Sequence, residues 1–260
     1  MGTSALRPRG VSELVDAAFQ ILRAHYSQFA MCSALAYLPW LIVQLVFLGD
    51  PGQLLAAATQ WSGTRWLAGA LVVLGVWMSF ALMSATIITC ASQAYLGDLV
   101  DVGVAVRRAA PRMPVVMTAA LLRYAGLIIG AFLFLVGALW VAARLFALTP
   151  LIIIEDASIP TAFRRSGDLS LGRKQHILNT LGLATIIYWV VALGVSVMAR
   201  LTGSYVVQVL AGAIYTILAY PIIAITECLL YYDARIQSEG LDIELMAVEL
   251  GAAPIQSSAL

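Results

Sequence analysis

Between Phe29 and Tyr232 the chain alternates long apolar stretches with short polar gaps. A membrane-spanning helix needs about 20 apolar residues at about 1.5 Å rise per residue. Phe29–Leu48 meets that length, and Trp66–Leu96 exceeds it, which predicts a tilted helix or one that runs past the bilayer. Val115–Ile154 holds about 40 residues, too many for one span and enough for two, with a break expected near Val136–Gly137. Ile177–Ala199 and Tyr205–Tyr232 complete the set, joined by a short turn from Arg200 to Ser204. The spans therefore fall at about 29–48, 66–96, 115–135, 138–154, 177–199 and 205–232, between a polar segment 1–28 and a C-terminal segment 233–260.

The polar gaps carry a pattern of their own. Val11, Leu14, Val15, Ala18, Ile21 and Leu22 recur at helical spacing opposite Glu13, Asp16, Gln20 and Arg23, which predicts an amphipathic helix lying on the membrane surface. A second such helix is expected after Asp101, through Val104 to Ala109, and a third contains Thr161 to Ser166. The last two share the order Ala, any residue, Arg, Arg, small, and each leads into a span. Three parallel repeats of surface helix plus transmembrane hairpin, beginning near Val11, Asp101 and Ala157, would explain this. Chance matching of linkers rich in Ala and Arg would explain it too.

Composition agrees with the pattern. Of 260 residues 62% are hydrophobic and 11% charged, too few charges to coat a water-soluble domain of this length. The fold class is an all-α integral membrane protein with about six transmembrane helices and amphipathic cytoplasmic surface helices. Charge settles five spans against six. With six, one side receives Arg7, Arg9, Arg23, Arg107, Arg108, Arg112, Arg164, Arg165, Arg173, Lys174 and Arg235, and the other only Arg65 and Arg200. The positive-inside rule then puts both termini in the cytoplasm. The polar start favours an internal signal anchor over a cleavable leader. A net charge of +1 argues against nucleic acid as a partner. Cys32, Cys90 and Cys228 lie far apart in apolar stretches with no metal-ligand spacing, as inert buried side chains do.

Three ionisable residues fall inside spans, where a charge is costly and commonly faces protein or a wet cavity. Arg123 is about nine residues into the third span, hence about 13 Å deep, Arg144 is central in the fourth, and Glu227 lies about one turn inside the sixth. Arg123 and Glu227 can meet if the arginine snorkels. The functional reading is a polar cleft for an anionic headgroup or an ion; the structural one is an interhelical ion pair. Two cations against one acid keep the ligand reading open, since an unpaired Arg suits phosphate or carboxylate. Arg107, Arg108, Arg164, Arg165, Arg173 and Lys174 form a candidate rim for anionic lipid headgroups. Trp40, Trp61, Trp66, Trp140, Trp189, Tyr231 and Tyr232 read as interfacial belts and packing, and Gly126 with Gly130 as a close-packing face. Asp233 and Arg235, with Glu239 and Asp242, read as a salt-linked helix end. No catalytic motif and no metal or cofactor signature can be written through the chain, and His25 and His176 read as interfacial.

Pro150, Glu155 and Ala162-Phe163-Arg164-Arg165-Ser166-Gly167-Asp168-Leu169 form one group of motifs. Leu230-Tyr231-Tyr232-Asp233-Ala234-Arg235 and Glu239-Gly240-Leu241-Asp242 form another, and Leu14-Val15-Asp16-Ala17-Ala18-Phe19 with Arg23 opens the chain. Together they resemble the membrane domain found in some bacterial glycerophosphoryl diester phosphodiesterases and in stand-alone proteins. The resemblance spans nearly the whole chain, and the tyrosine–aspartate–arginine ending is its most specific part. Two positions depart from it: Gly167 replaces a bulky aromatic, and Gly137 lacks the usual preceding proline. In that family the phosphodiesterase chemistry belongs to a separate soluble barrel with a His-Arg pair and metal-binding acids. Too few residues follow Asp242 for such a barrel, so the resemblance implies the membrane half alone, in the bacterial inner membrane. The first expectation is a non-catalytic protein that binds membrane lipids, anionic ones above all, or organises a membrane or cytoplasmic protein partner at the cytoplasmic face. The second is a small transporter or lipid-handling permease working through Arg123, Arg144 and Glu227. The Gly251–Leu260 tail, small and polar, is expected to be mobile.

Overall fold

The computed structural model describes residues 10–45, 63–132 and 134–239. Arg7, Arg9, Trp61, Asp242 and the 251–260 tail lie outside the described residues, as do the side chains of Arg65 and Trp66. The described residues form ten helices and no strand: α1 (Val11–Ala24), α2 (Tyr26–Val43), α3 (Gly63–Leu96), α4 (Val102–Phe132), α5 (Phe134–Arg144), α6 (Leu148–Ile154), α7 (Ile159–Leu169), α8 (Lys174–Leu201), α9 (Tyr205–Ala219) and α10 (Pro221–Glu239). Six segments among them are long and apolar enough to cross a membrane. Two of the six are interrupted: α5 and α6 make the fourth, and α9 and α10 make the sixth, bent at Tyr220–Pro221. This is an all-α multi-pass membrane protein. Its outward faces agree, with Ile186, Trp189, Leu193, Met198, Ile214 and Leu121 all exposed, an arrangement stable only in a lipid solvent.

The core is densest at the end of the bundle that carries most of the charges, here called the charged end. There α10 is buried almost throughout from Pro221 to Ala234, wrapped by α1, α3, α6 and α8. Helix α1 is amphipathic as expected, but Leu14, Val15, Ala18 and Leu22 are buried against α8 and α10. Its apolar face is therefore covered by protein and is not left for lipid. The second surface helix is not a separate element: α4 runs unbroken for 31 residues from Val102, capped by Asp101, whose Oδ1 accepts from the Gly103 and Val104 amides at 2.7 and 3.1 Å. Pro111 and Pro114 lie on its exposed side. There the carbonyl each proline leaves without a donor can be met from outside the bundle. The first and third units begin with a discrete helix and the second does not.

Helices α3 and α4, at 34 and 31 residues, are about 51 and 46 Å long. Both exceed a hydrocarbon core of about 30 Å, as a tilted helix or one that runs past the bilayer does. At the end opposite the charged one α4, ending at Phe132, and α5, beginning at Phe134, pack as a hairpin, and α5 already runs through Val136–Gly137, where the break was expected. Their backbones touch: a Cβ on Gly130 would lie 2.7 Å from the Gly137 carbonyl carbon, and one on Gly126 would meet Val141 Cγ1 at 3.3 Å. The expected close-packing face is real, and α5 is its partner. Gly203, at φ +66°, closes the α8–α9 turn in a left-handed conformation.

Candidate functional site

A cavity of about 450 Å³ opens between α3, α4, α6 and the bend before α10. It is lined by Val73, Val76, Trp77, Phe80, Ala81 and Ser84 of α3, and by Val116, Ala120, Arg123 and Tyr124 of α4. Thr149, Tyr220 and Glu227 close it. The 12 residues of α3 from Val73 to Ser84 give it a length of about 16 Å. Polarity is graded along that length. Val73 and Val76 mark an apolar mouth, where Val73 and Tyr124 are 62% and 49% exposed. Ser84, Thr149 and Glu227 mark a polar end nearer the charged face.

Arg123 and Glu227 meet here, as their depths suggested. Arg123 Nη1 lies 3.9 Å from Glu227 Oε1, with the arginine side chain 30% exposed and the glutamate 10%. That distance is an ion pair without a hydrogen bond. Thr149 is a side-chain hydrogen-bond partner of Glu227, but Glu227 Oε1 is buried with none. Trp77 Nε1, from another lining side chain, is likewise buried without a partner. A buried acceptor and a buried donor left open are costly, and both side chains face one cavity. Trp77 packs edge-on against Tyr124, and the Arg123 guanidinium lies 6.0 Å from the Tyr124 ring centre. Aromatic walls with one cation and one anion suit a small amphiphile better than a metal, and no metal-ligating cluster of three occurs among the described residues.

Arg144 does not join them. It ends α5 on an exposed flank, its guanidinium 5.1 Å from the Trp140 ring centre, with Lys174 Nζ 4.7 Å from the same ring. The fourth span is interrupted at Leu145–Ala147, which turns Arg144 outward. Ser166 of α7 plugs that gap: its hydroxyl donates to the Arg144 carbonyl at 2.9 Å and accepts from the Ala147 amide at 3.2 Å. Gly167 explains its own smallness. A Cβ there would stand 3.3 Å from Arg144 Nε and Nη2, so the guanidinium takes the room a larger side chain would fill.

Three of the six expected rim residues, Arg108, Arg165 and Arg173, are tied to other parts of the chain. Arg108 donates to the Ile153 and Ile154 carbonyls, both at 2.9 Å, and closes the C-terminus of α6. Arg107 donates to Gly103 of its own helix, Arg173 to the Ala234 carbonyl at 3.2 Å, and Arg165 pairs with Glu155 and Glu239, both at 2.9 Å. Arg164 is exposed, and with Lys174 and Arg144 it remains a candidate lipid contact. Arg235 joins Glu239 at 2.8 Å and Glu155 at 3.7 Å, and the Tyr231 hydroxyl donates to Glu155 at 2.5 Å. Asp233 accepts from Gln237 at 2.7 Å and lies 3.8 Å from His176. The helix end is salt-linked as expected, but the links also tie α10 to α7 and to the loop after α6. Scattered motif residues Glu155, Arg165, Tyr231 and Arg235 thus form one network.

The sequence reading missed Trp77, Ser84, Thr149, Ser166 and Tyr220. Polar side chains inside apolar stretches were the available signal. It also missed a sulfur contact: Cys32 and Cys90, 58 positions apart, bring their Sγ atoms to 3.2 Å, while Cys228 is buried nearby against Ile88. Comparison of the chain with family models, with curated proteins and with solved structures finds no match in any of the three.

Proposed function

We propose that this chain is a non-catalytic protein of the bacterial cytoplasmic membrane that holds a lipid headgroup in the cavity between α3, α4 and α10. The observation that carries this reading is the cavity, apolar at its exposed mouth, with Glu227 and Thr149 at its polar end and the Arg123 guanidinium reaching Glu227 from beside Tyr124. Its polarity runs in the same sense as a lipid leaflet at the charged face. The positive-inside rule supports placing that face, and both termini, in the cytoplasm. Arg144 and Lys174 share Trp140 with no carboxylate paired to either among the described residues. That supports contact with anionic lipid at the bilayer boundary, at about 1 kcal/mol per charge. The resemblance to the membrane domain of glycerophosphoryl diester phosphodiesterases fits this reading, and the partner alternative would use the polar outer faces of α1 and α7.

Native mass spectrometry of the protein extracted in native nanodiscs tests it. A stoichiometric lipid is expected, retained by Arg144→Gln and lost in Arg123→Gln. A co-extracted protein with no defined lipid would move the function to the partner. A small transporter is the second reading, favoured by the interrupted fourth span beside the cavity, since broken helices commonly line substrate sites. It predicts solute flux in proteoliposomes that Arg123→Gln abolishes. Because Arg144 lies outside the cavity, its neutralisation should leave that flux intact.

A further inference from the structure

We propose that the headgroup this cavity selects is zwitterionic, a primary ammonium joined to a phosphate as in phosphoethanolamine lipids. The inference rests on the lipid-binding reading and names its ligand class. An anionic lipid alone leaves Glu227 worse off, because it adds negative charge beside a carboxylate that is nine-tenths buried. What Glu227 Oε1 lacks is a donor. A primary ammonium has three, and a charge-assisted bond to a carboxylate is among the stronger polar contacts. A quaternary ammonium could lie against the aromatic walls but has no N–H to give. Arg123 lies 3.9 Å from Glu227, close enough to pair with a phosphate two carbons from the ammonium. Trp77 Nε1, also without a partner, lies seven residues along α3 from Ser84, about 10 Å toward the mouth. That is where the ester groups of the same lipid would offer an acceptor. The exposed mouth at Val73 and Tyr124 gives the acyl chains a way out to the bilayer. One ligand class therefore supplies a donor to the orphan acceptor, an acceptor to the orphan donor and an anion to the cation.

The test uses the full chain in nanodiscs of equal parts phosphatidylethanolamine and phosphatidylglycerol, with bound lipid read by native mass spectrometry. Wild type is expected to retain phosphatidylethanolamine about tenfold over phosphatidylglycerol. Glu227→Gln, close to isosteric, should erase that preference. Equal retention of the two lipids, or a preference untouched by Glu227→Gln, overturns the inference and leaves the lipid-binding reading standing. Retention of neither lipid overturns both. Should Glu227→Gln not fold, competition on wild type decides. Soluble phosphoethanolamine should displace the lipid and glycerol phosphate should not; equal displacement counts against the proposal.

Discussion

Ser166 shows how one hydroxyl can hold a membrane helix open. The interruption at Leu145–Ala147 leaves a carbonyl and an amide without helical partners, and the Ser166 hydroxyl serves both. In hydrocarbon or in a dry core no water replaces it. Ser166→Ala should cost about 1–3 kcal/mol, read as a lower unfolding midpoint in detergent, whereas Ser166→Thr keeps the hydroxyl and suffers only from crowding. An unchanged midpoint for the alanine variant would mean the break is satisfied elsewhere. The same break explains why Arg144 was misplaced by residue counting. Counting along the fourth span put it in the interior, but the turn sets its side chain on an exposed flank beside Trp140 and Gly167. Arg123 and Glu227 sit in unbroken helix at their level, so for them counting sufficed.

Among the elements, the α4–α5 hairpin depends on backbone contact. Gly126 and Gly130 were legible as a small-residue face because helical periodicity puts positions four apart on one side. The partner Gly137 was not, because nothing local says which helix comes to meet them. Gly130 and Gly137 face each other so closely that any Cβ strikes main chain, which cannot rotate away. Gly137→Ala should therefore destabilise by about 1–3 kcal/mol or more. Gly126→Ala meets only the Val141 methyl at 3.3 Å and should cost less. Survival after heating in detergent, scored by size-exclusion chromatography, ranks the two; the reverse order would show that the hairpin is looser than its geometry. Helix α1 carries the complementary lesson. Its periodicity gave the helix and its apolar face correctly, but periodicity is blind to what covers that face, and here the cover is α8 and α10.

At the scale of the whole molecule, helix lengths and charge positions converge on one arrangement. If the excess length of α3 and α4 projects at the charged end, it forms an outer layer in which Arg108, Arg165, Arg173 and Arg235 tie the chain together. Three arginines that sequence assigns to a lipid rim, Arg108, Arg165 and Arg173, thus also hold the fold together, because positive charge placed by topology is available to loop carbonyls and to Glu155 and Glu239. The spans were legible since bilayer thickness imposes a length that apolar runs must meet; of the cavity only Arg123 and Glu227 were, since its apolar and aromatic walls look like any span until the helices pack. The arrangement has a direct consequence for accessibility. Native Cys32, Cys90 and Cys228 are fully buried, so single exposed cysteines report alone against a membrane-impermeant thiol reagent. Arg23→Cys, Arg107→Cys and Arg164→Cys should label from one side of sealed vesicles, and Arg200→Cys only from the other. Ile128→Cys, exposed on α4 but at bilayer depth, should label from neither until detergent is added. Labelling of Arg107→Cys marks the part of α4 beyond the bilayer. If it stays protected while Arg164→Cys reacts, α4 starts inside the membrane and the proposed outer layer is lost. If Arg200→Cys reacts on the same side as Arg164→Cys, the chain crosses an even number of times between them, and the six-span order falls with it.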